Sequence, residues 1–156
     1  MNIVLAISEP AIQHVRQLFR EYAASLSFTL CFQGFEEQLA SLPGKYGAPH
    51  GRLLVATGKD GAALGCFGLR PLDESTAEIK RLYVRPAFRG DGTGRKLMEY
   101  VLDEAKSIGY RRVPLDTVAS MVEANRLYDA LGFREIVPYC ENPLPGARFL
   151  EKSLTP

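Results

Sequence analysis

Between a strand-like run that ends at Val84 and a helix-forming run that begins near Thr93, the chain carries Arg89-Gly90-Asp91-Gly92-Thr93-Gly94. A structural loop needs one glycine for one awkward dihedral. Three at alternate positions suggest backbone N–H groups that something must approach closely. The first turn of a helix adds unpaired amides and the positive end of its dipole, so strand, glycine loop and helix together form a device for holding phosphate.

Two familiar versions of that device can be tested on the residues. A nucleotide P-loop requires Gly-Lys-Ser/Thr after the turn, whereas Gly94 is followed by Arg95-Lys96. In the dinucleotide fingerprint G-x-G-x-x-G, Gly90 and Gly92 supply the first two glycines, and Asp116 lies at about the distance of a ribose-binding acid. The third glycine is replaced by Arg95, and too little chain follows for a doubly wound sheet.

Periodicity fills in the rest. Residues 2–7 read as a short strand. Ser8-Glu9-Pro10 starts a helix whose apolar positions Ile12, Val15, Leu18, Phe19, Tyr22 and Leu26 carry it to about residue 27. Phe32, Phe35, Leu39 and Leu42 predict a second, shorter helix ending at Pro43-Gly44. The following PGKYGAPHG is expected to be a mobile or substrate-facing loop. Strands are expected at 52–57 and 62–69, joined as a hairpin, and at 78–84. Leu97, Met98, Val101, Leu102, Ala105 and Ile108 form one stripe of a helix closed by Gly109. A strand at 112–116, despite Pro114, leads to a helix with Ala124, Leu127, Tyr128 and Leu131 on one face. Strands at 133–139 and 148–154 close the chain around the loop CENPLPGA. The order β-α-α-β-β-β-α-β-α-β-β predicts an α/β, mixed α+β fold in one domain, residues 1–156. It has a central, mostly antiparallel twisted sheet with helices on both faces.

The chain has 156 residues and a formal net charge of +1, which argues against a nucleic-acid partner bound by phosphate neutralisation. Cys31, Cys66 and Cys140 form no CxxC pair, and His14 and His50 form no ligand cluster, so no metal is expected and the cysteines read as buried reduced thiols. Neither a signal peptide nor a stretch long enough to cross a bilayer is evident, so a cytoplasmic protein with no membrane partner is expected.

EIKRLYVRPAFRGDGTGRKLMEYVLDEAKSIGYRRVPLDT followed by ANRLYDALGF resembles the acyl-CoA-binding core of the GNAT superfamily of N-acetyltransferases, with R-x-x-G-x-G matched by Arg89, Gly92 and Gly94. The likeness is close over residues 78–133. It implies acetyl-CoA as co-substrate, its pyrophosphate held by Arg89, Gly90, Asp91, Gly92, Thr93, Gly94 and Arg95. The pantetheine arm would lie along the backbone of Leu82, Tyr83 and Val84 as a pseudo-strand, with Asn125 on the same arm. It also implies a splayed pair of parallel strands that admits the cofactor, and such a gap would tolerate Pro114. Homodimers are common among similar proteins, though no residue pattern here establishes one.

The implied reaction moves acetyl from acetyl-CoA to a primary amine, of a small molecule or a peptide, by direct attack in a ternary complex. It needs a neutral amine, a stabilised oxyanion and a hydrogen bond or proton for the leaving thiolate. For a lysine-like amine, reaching the neutral form at pH 7 costs about 4.6 kcal/mol. Tyr128, in the N-x-x-Y position, is the candidate catalytic donor to the thiolate. Full proton transfer from a phenol to a thiolate is uphill by about 2 kcal/mol, so hydrogen bonding serves as well as transfer. Glu78 matches a catalytic glutamate position, with Glu36, Glu37 and Asp116 in reserve, and the oxyanion would meet a backbone N–H near Leu82 or Tyr83. The alternative is a non-catalytic acyl-CoA-binding regulatory module, which needs the loop but neither Tyr128 nor a base. Acceptor choice would fall to 32–51 and the CENPLPGA loop, with Arg148 as a carboxylate contact.

Overall fold

The run Leu53-Leu54-Val55-Ala56 has no polar alternation, and it forms the centre of β2 (Arg52–Thr57) in the computed structural model, which describes residues 1–26 and 34–155. Leu53 and Val55 belong to one core and Leu54 and Ala56 to another. A strand buried on both faces must be covered twice. One cover is α1 (Glu9–Ser25) with α2 (Phe35–Ser41), through Ile12, Val15, Leu18, Phe19, Phe35 and Leu39. The other is α3 (Thr93–Ile108), through Leu97, Met98, Val101, Leu102 and Ala105. Gly109, at φ 114°, closes α3 as expected.

β1 (Asn2–Leu5), β2, β3 (Ala63–Pro71) and β4 (Ala77–Val84) form an antiparallel sheet in that order. β5 (Arg112–Val118), β7 (Ala147–Ser153) and the two-residue β6 (Arg134–Glu135) form a second sheet, ordered β5-β7-β6. Between β5 and β6 runs α4 (Val122–Ala130). The element order agrees with expectation, and the expected central sheet is divided into two antiparallel sheets. Among the described residues, one parallel bridge, Thr76 with Arg112, joins the residue just before β4 to β5; the stretches 79–82 and 115–118 line a cavity. Pro114 sits opposite Glu151 in the intact β5–β7 ladder. β5 is an edge strand, and a proline is tolerated there.

Three expectations need correction. Cys140 is exposed, not a buried thiol, because it sits in the loop that follows β6, whereas Cys66 in β3 is buried as expected. The strand expected at 133–139 is cut to Arg134–Glu135. One further bond, from Ile136 N to Phe149 O, precedes Pro138, which has no amide to donate. The PGKYGAPHG segment is anchored by a core residue: Tyr46, 2% exposed, packs edge-on against Phe19 and lies over Gly68, where a Cβ would come within 2.5 Å of its ring. The part of the second helix expected around Phe32, and Cys31 beside it, lie outside the described residues.

Candidate active site

Gly90 (φ 84°) and Gly92 (φ 90°) take the left-handed turns that bring the chain from β4 into α3. Between them, Asp91 Oδ1 accepts hydrogen bonds from Thr93 N (3.0 Å) and Thr93 Oγ1 (2.6 Å), which closes the first turn of the helix and holds the carboxyl below its usual pKa. Arg89 donates from Nε to the Val84 carbonyl (2.7 Å) and lies 5.5 Å over the Tyr83 ring. Arg95 makes an exposed i,i+4 pair with Glu99 (3.0 Å), a contact worth at most a few tenths of a kcal/mol and so easily exchanged for an anion.

Beside the loop lies a groove of about 600 Å³, lined by Leu82, Tyr83 and Val84 from β4, by Arg89, Gly90, Gly92, Gly94 and Arg95, and by Ala124 and Leu127 from α4. A Cβ on Gly90 or Gly92 would project into open space. The groove has one apolar strand-and-helix wall and one amide-rich cationic end. That combination fits a long ligand with an uncharged arm and a diphosphate, which is the form of acetyl-CoA.

A smaller cavity, about 50 Å³, opens between the two sheets. Its shape follows from an irregularity in β4. Cys66 faces Tyr83 and Gly68 faces Lys80, so Phe67 is opposed by both Arg81 and Leu82, and Arg81 adopts φ 60°. Such a bulge interrupts the ladder and re-aims the side chains around it. Ile79, Lys80, Arg81 and Leu82 line one wall, and Leu115, Asp116, Thr117 and Val118 of β5 line the other. Tyr128 of α4 also faces the cavity. Its ring packs at a tilt of 55° against Phe133, 5.7 Å between centroids, burial holds its phenol well above the usual tyrosine pKa, and its hydroxyl enters no hydrogen bond among the described residues. Tyr22, Leu82 and Met121 line groove and cavity alike, so the two spaces share a wall.

A chain of charges starts at the cavity wall itself. Asp116 Oδ1 accepts from Lys80 Nζ (2.8 Å) and Oδ2 from Asn142 Nδ2 (3.1 Å). Lys80 stands 3.7 Å from Glu78, whose oxygens also take Arg70 (2.8 Å) and the Tyr139 hydroxyl. Glu78, 1% exposed, is thus held by three partners and is not among the residues that line the cavity, whereas Asp116 is. Ligand atoms of Glu78, Asp116 and Cys140 lie within 4.8 Å of one another, a spacing open to a metal. The Lys80 ammonium already supplies a cation to both carboxylates, and partial desolvation pushes the Cys140 thiol up, away from the thiolate a metal needs.

Asn125 is buried with its amide committed within the chain. Nδ2 donates to the carbonyls of Val118 (2.9 Å) and Met121 (2.7 Å), and Oδ1 accepts from Arg148 (2.6 Å). It fixes the start of α4 instead of facing the groove, and Arg148 is spent on Asn125 and Glu135. The sequence reading gave several cavity residues no role. Tyr22 falls in the apolar stripe of α1, Lys80 and Arg81 lie in EIKRLYVRP with no role attached, and Asn142 lies in the loop expected to help choose the acceptor. The two consecutive cations in a strand otherwise made of core residues were the available signal.

The match to the acetyltransferase (GNAT) family spans residues 13–133. An uncharacterised N-acetyltransferase of Schizosaccharomyces pombe is 36% identical, over 90% of this chain and 86% of its own. An acetyltransferase of the GNAT family from Staphylococcus aureus superposes with a TM-score of 0.81 at 21% identity, covering 99% of both chains. An acetyltransferase from Salmonella typhimurium, solved with acetyl-CoA, superposes at 0.75 with 20% identity, covering 100% of this chain and 95% of its own. At those identities the two structures establish the fold.

Proposed function

The chain belongs to the acetyltransferase (GNAT) family and is an N-acetyltransferase, and from that premise we propose that it joins the acetyl group of acetyl-CoA to a primary amine by direct attack, with both substrates bound together. The observation that carries this reading is the wall of Tyr22, Leu82 and Met121, shared by a groove suited to the cofactor and a cavity suited to an amine. Bound acetyl-CoA supplies an activated thioester, and the chain's own residues do the rest. Amides of the loop from Arg89 to Arg95 and the first turn of α3 receive the diphosphate. The backbone of Leu82, Tyr83 and Val84 borders the pantetheine arm. Asn125 contributes by fixing α4, whose Ala124 and Leu127 form the opposite wall.

The bulge at Arg81 and Leu82 frees backbone groups from the ladder, and an N–H there meets the charge that develops on the carbonyl oxygen. Tyr128, kept protonated by burial, donates to the sulfur as the C–S bond breaks and the N–C bond forms. The nitrogen's proton departs on the carboxylate side. Asp116 borders the cavity, and Glu78, joined to it through Lys80, serves as a base working through water. We place the reaction in the cytoplasm, a setting supported by the buried free thiol of Cys66.

The test is thiol release from acetyl-CoA across a broad amine panel. Tyr128→Phe is expected to lower kcat roughly 100-fold with acetyl-CoA affinity nearly unchanged. Unchanged turnover in the Phe variant would make Tyr128 structural. Coenzyme A binding with no turnover of any amine would favour the non-catalytic module.

A further inference from the structure

The thioester passes from groove to cavity at the wall the two spaces share, formed by Tyr22, Leu82 and Met121. With the diphosphate at the glycine loop and the sulfur at Tyr128, the acyl group enters the cavity, where the acceptor's nitrogen must also stand. The room is small. At about 50 Å³, against roughly 10 to 15 Å³ for one water-sized group, it holds only a few such groups. An acetyl group and an amine nitrogen take up most of it. Each methylene added to the acyl chain takes space from the acceptor or pushes against the wall.

What that push meets differs among the three residues. Tyr22 belongs to α1, and its ring leans on Tyr83 with 5.8 Å between centroids. Leu82 sits on the β4 bulge. Met121, half-buried, stands at the start of α4. An unbranched methionine ordinarily yields to a neighbour. This one is held at both ends. Its N–H donates to the Val118 carbonyl (3.0 Å), and its own carbonyl accepts from Asn125 N (3.0 Å) and Nδ2 (2.7 Å). Its sulfur accepts from the Thr117 hydroxyl, 3.8 Å away, and Thr117, 6% exposed, is itself a cavity residue. The thioether is thereby tied to β5 on the cavity side, where it resists displacement.

From this arrangement we propose that Met121, held by Thr117, sets the length of the acyl group transferred, admitting acetyl and turning away longer chains. This rests on the acetyltransferase reading above and adds a specificity-determining residue to it.

Calorimetry with coenzyme A, acetyl-CoA and butyryl-CoA tests it without an identified acceptor. Each thioester's Kd is divided by that of coenzyme A on the same protein, so a general change in the groove cancels. In the wild type the butyryl ratio is expected to exceed the acetyl ratio about 10-fold, the cost of forcing two methylenes against a packed wall. Met121→Ala should bring the two ratios close to equal. Met121 makes no side-chain cap on α4, so the substitution removes no bond that starts the helix. Thr117→Val, which keeps the shape and loses the hydroxyl, should fall between wild type and Met121→Ala. If the alanine variant shows no cooperative melting, Thr117→Val decides alone, and full wild-type discrimination in it overturns the proposal. Butyryl-CoA bound by the wild type as tightly as acetyl-CoA overturns it too, as does discrimination that survives in a folded Met121→Ala. These outcomes leave the acetyltransferase reading intact. That reading fails separately, when coenzyme A itself does not bind or when acetyl-CoA releases no thiol with any amine of the panel.

Discussion

A Cβ placed on Gly94 would sit 3.8 Å from both Leu127 Cδ2 and Val84 Cγ2, an ordinary contact, and this residue is not among the glycines with positive φ. Its neighbours Gly90 and Gly92 need glycine for their dihedrals, so Gly94 alone is explained by what must come close to it. Gly94→Ala therefore separates folding from binding. Alanine in the first turn of α3 should raise stability by about 0.5 to 1 kcal/mol, through helix propensity and a less flexible unfolded chain. The same methyl group on the groove wall should weaken acetyl-CoA binding about 10-fold, readable by calorimetry. At the carboxylates, roles divide by position. Glu78→Gln leaves Arg70 and Lys80 with one buried anion fewer and should cost about 3 to 5 kcal/mol in denaturant unfolding. Asp116→Asn changes the cavity wall itself, so its larger effect should be a raised acceptor KM in steady-state kinetics.

α3 was legible because its signals are local: an apolar stripe at helical spacing, a glycine loop in front and Gly109 behind. α4 was legible as a helix, but its role was not, because Asn125 works through partners 4, 7 and 23 residues away. Here the motif residue is a clip. Without its amide, two carbonyls and the Arg148 guanidinium lose a partner in a buried place, which should cost about 2 to 3 kcal/mol in Asn125→Ala. Acetyl-CoA affinity should fall as well, because Ala124 and Leu127 of the released helix line the groove. Urea unfolding and calorimetry on one preparation would check both; a stability loss with unaltered affinity would mean that α4 keeps its place without the clip. The loop between β6 and β7 shows the same limit of local reading. It was expected to help choose the acceptor, but no residue pattern showed what holds it: Tyr139 on Glu78 and Asn142 on Asp116 pin it over the charged cluster. Such pairings join residues 61 and 26 positions apart, and no spacing in the chain announces them.

Across the whole molecule, the two cores that sandwich the first sheet each contain a buried phenol: Tyr46 in the core under α1 and α2, Tyr128 in the core that includes α3. Desolvation pushes Tyr46 up to about 12 and Tyr128 above its usual value as well. The sign follows from which state holds the proton. Between pH 10 and about 12 the unfolded chain loses phenolic protons that the folded protein keeps, so folding becomes less favourable as pH rises. Each such phenol contributes a slope approaching 1.4 kcal/mol per pH unit inside that window and nothing below it. Thermal unfolding should therefore be insensitive to these tyrosines up to about pH 9.5 and fall steeply above pH 10. Tyr46→Phe should flatten that fall, and melting curves from pH 7 to 11 on both proteins would show it. Because Tyr128 stays protonated throughout the range in which the fold survives, an alkaline decline in kcat below pH 10 belongs to another group. A kcat limb that vanishes in Tyr128→Phe would contradict that assignment.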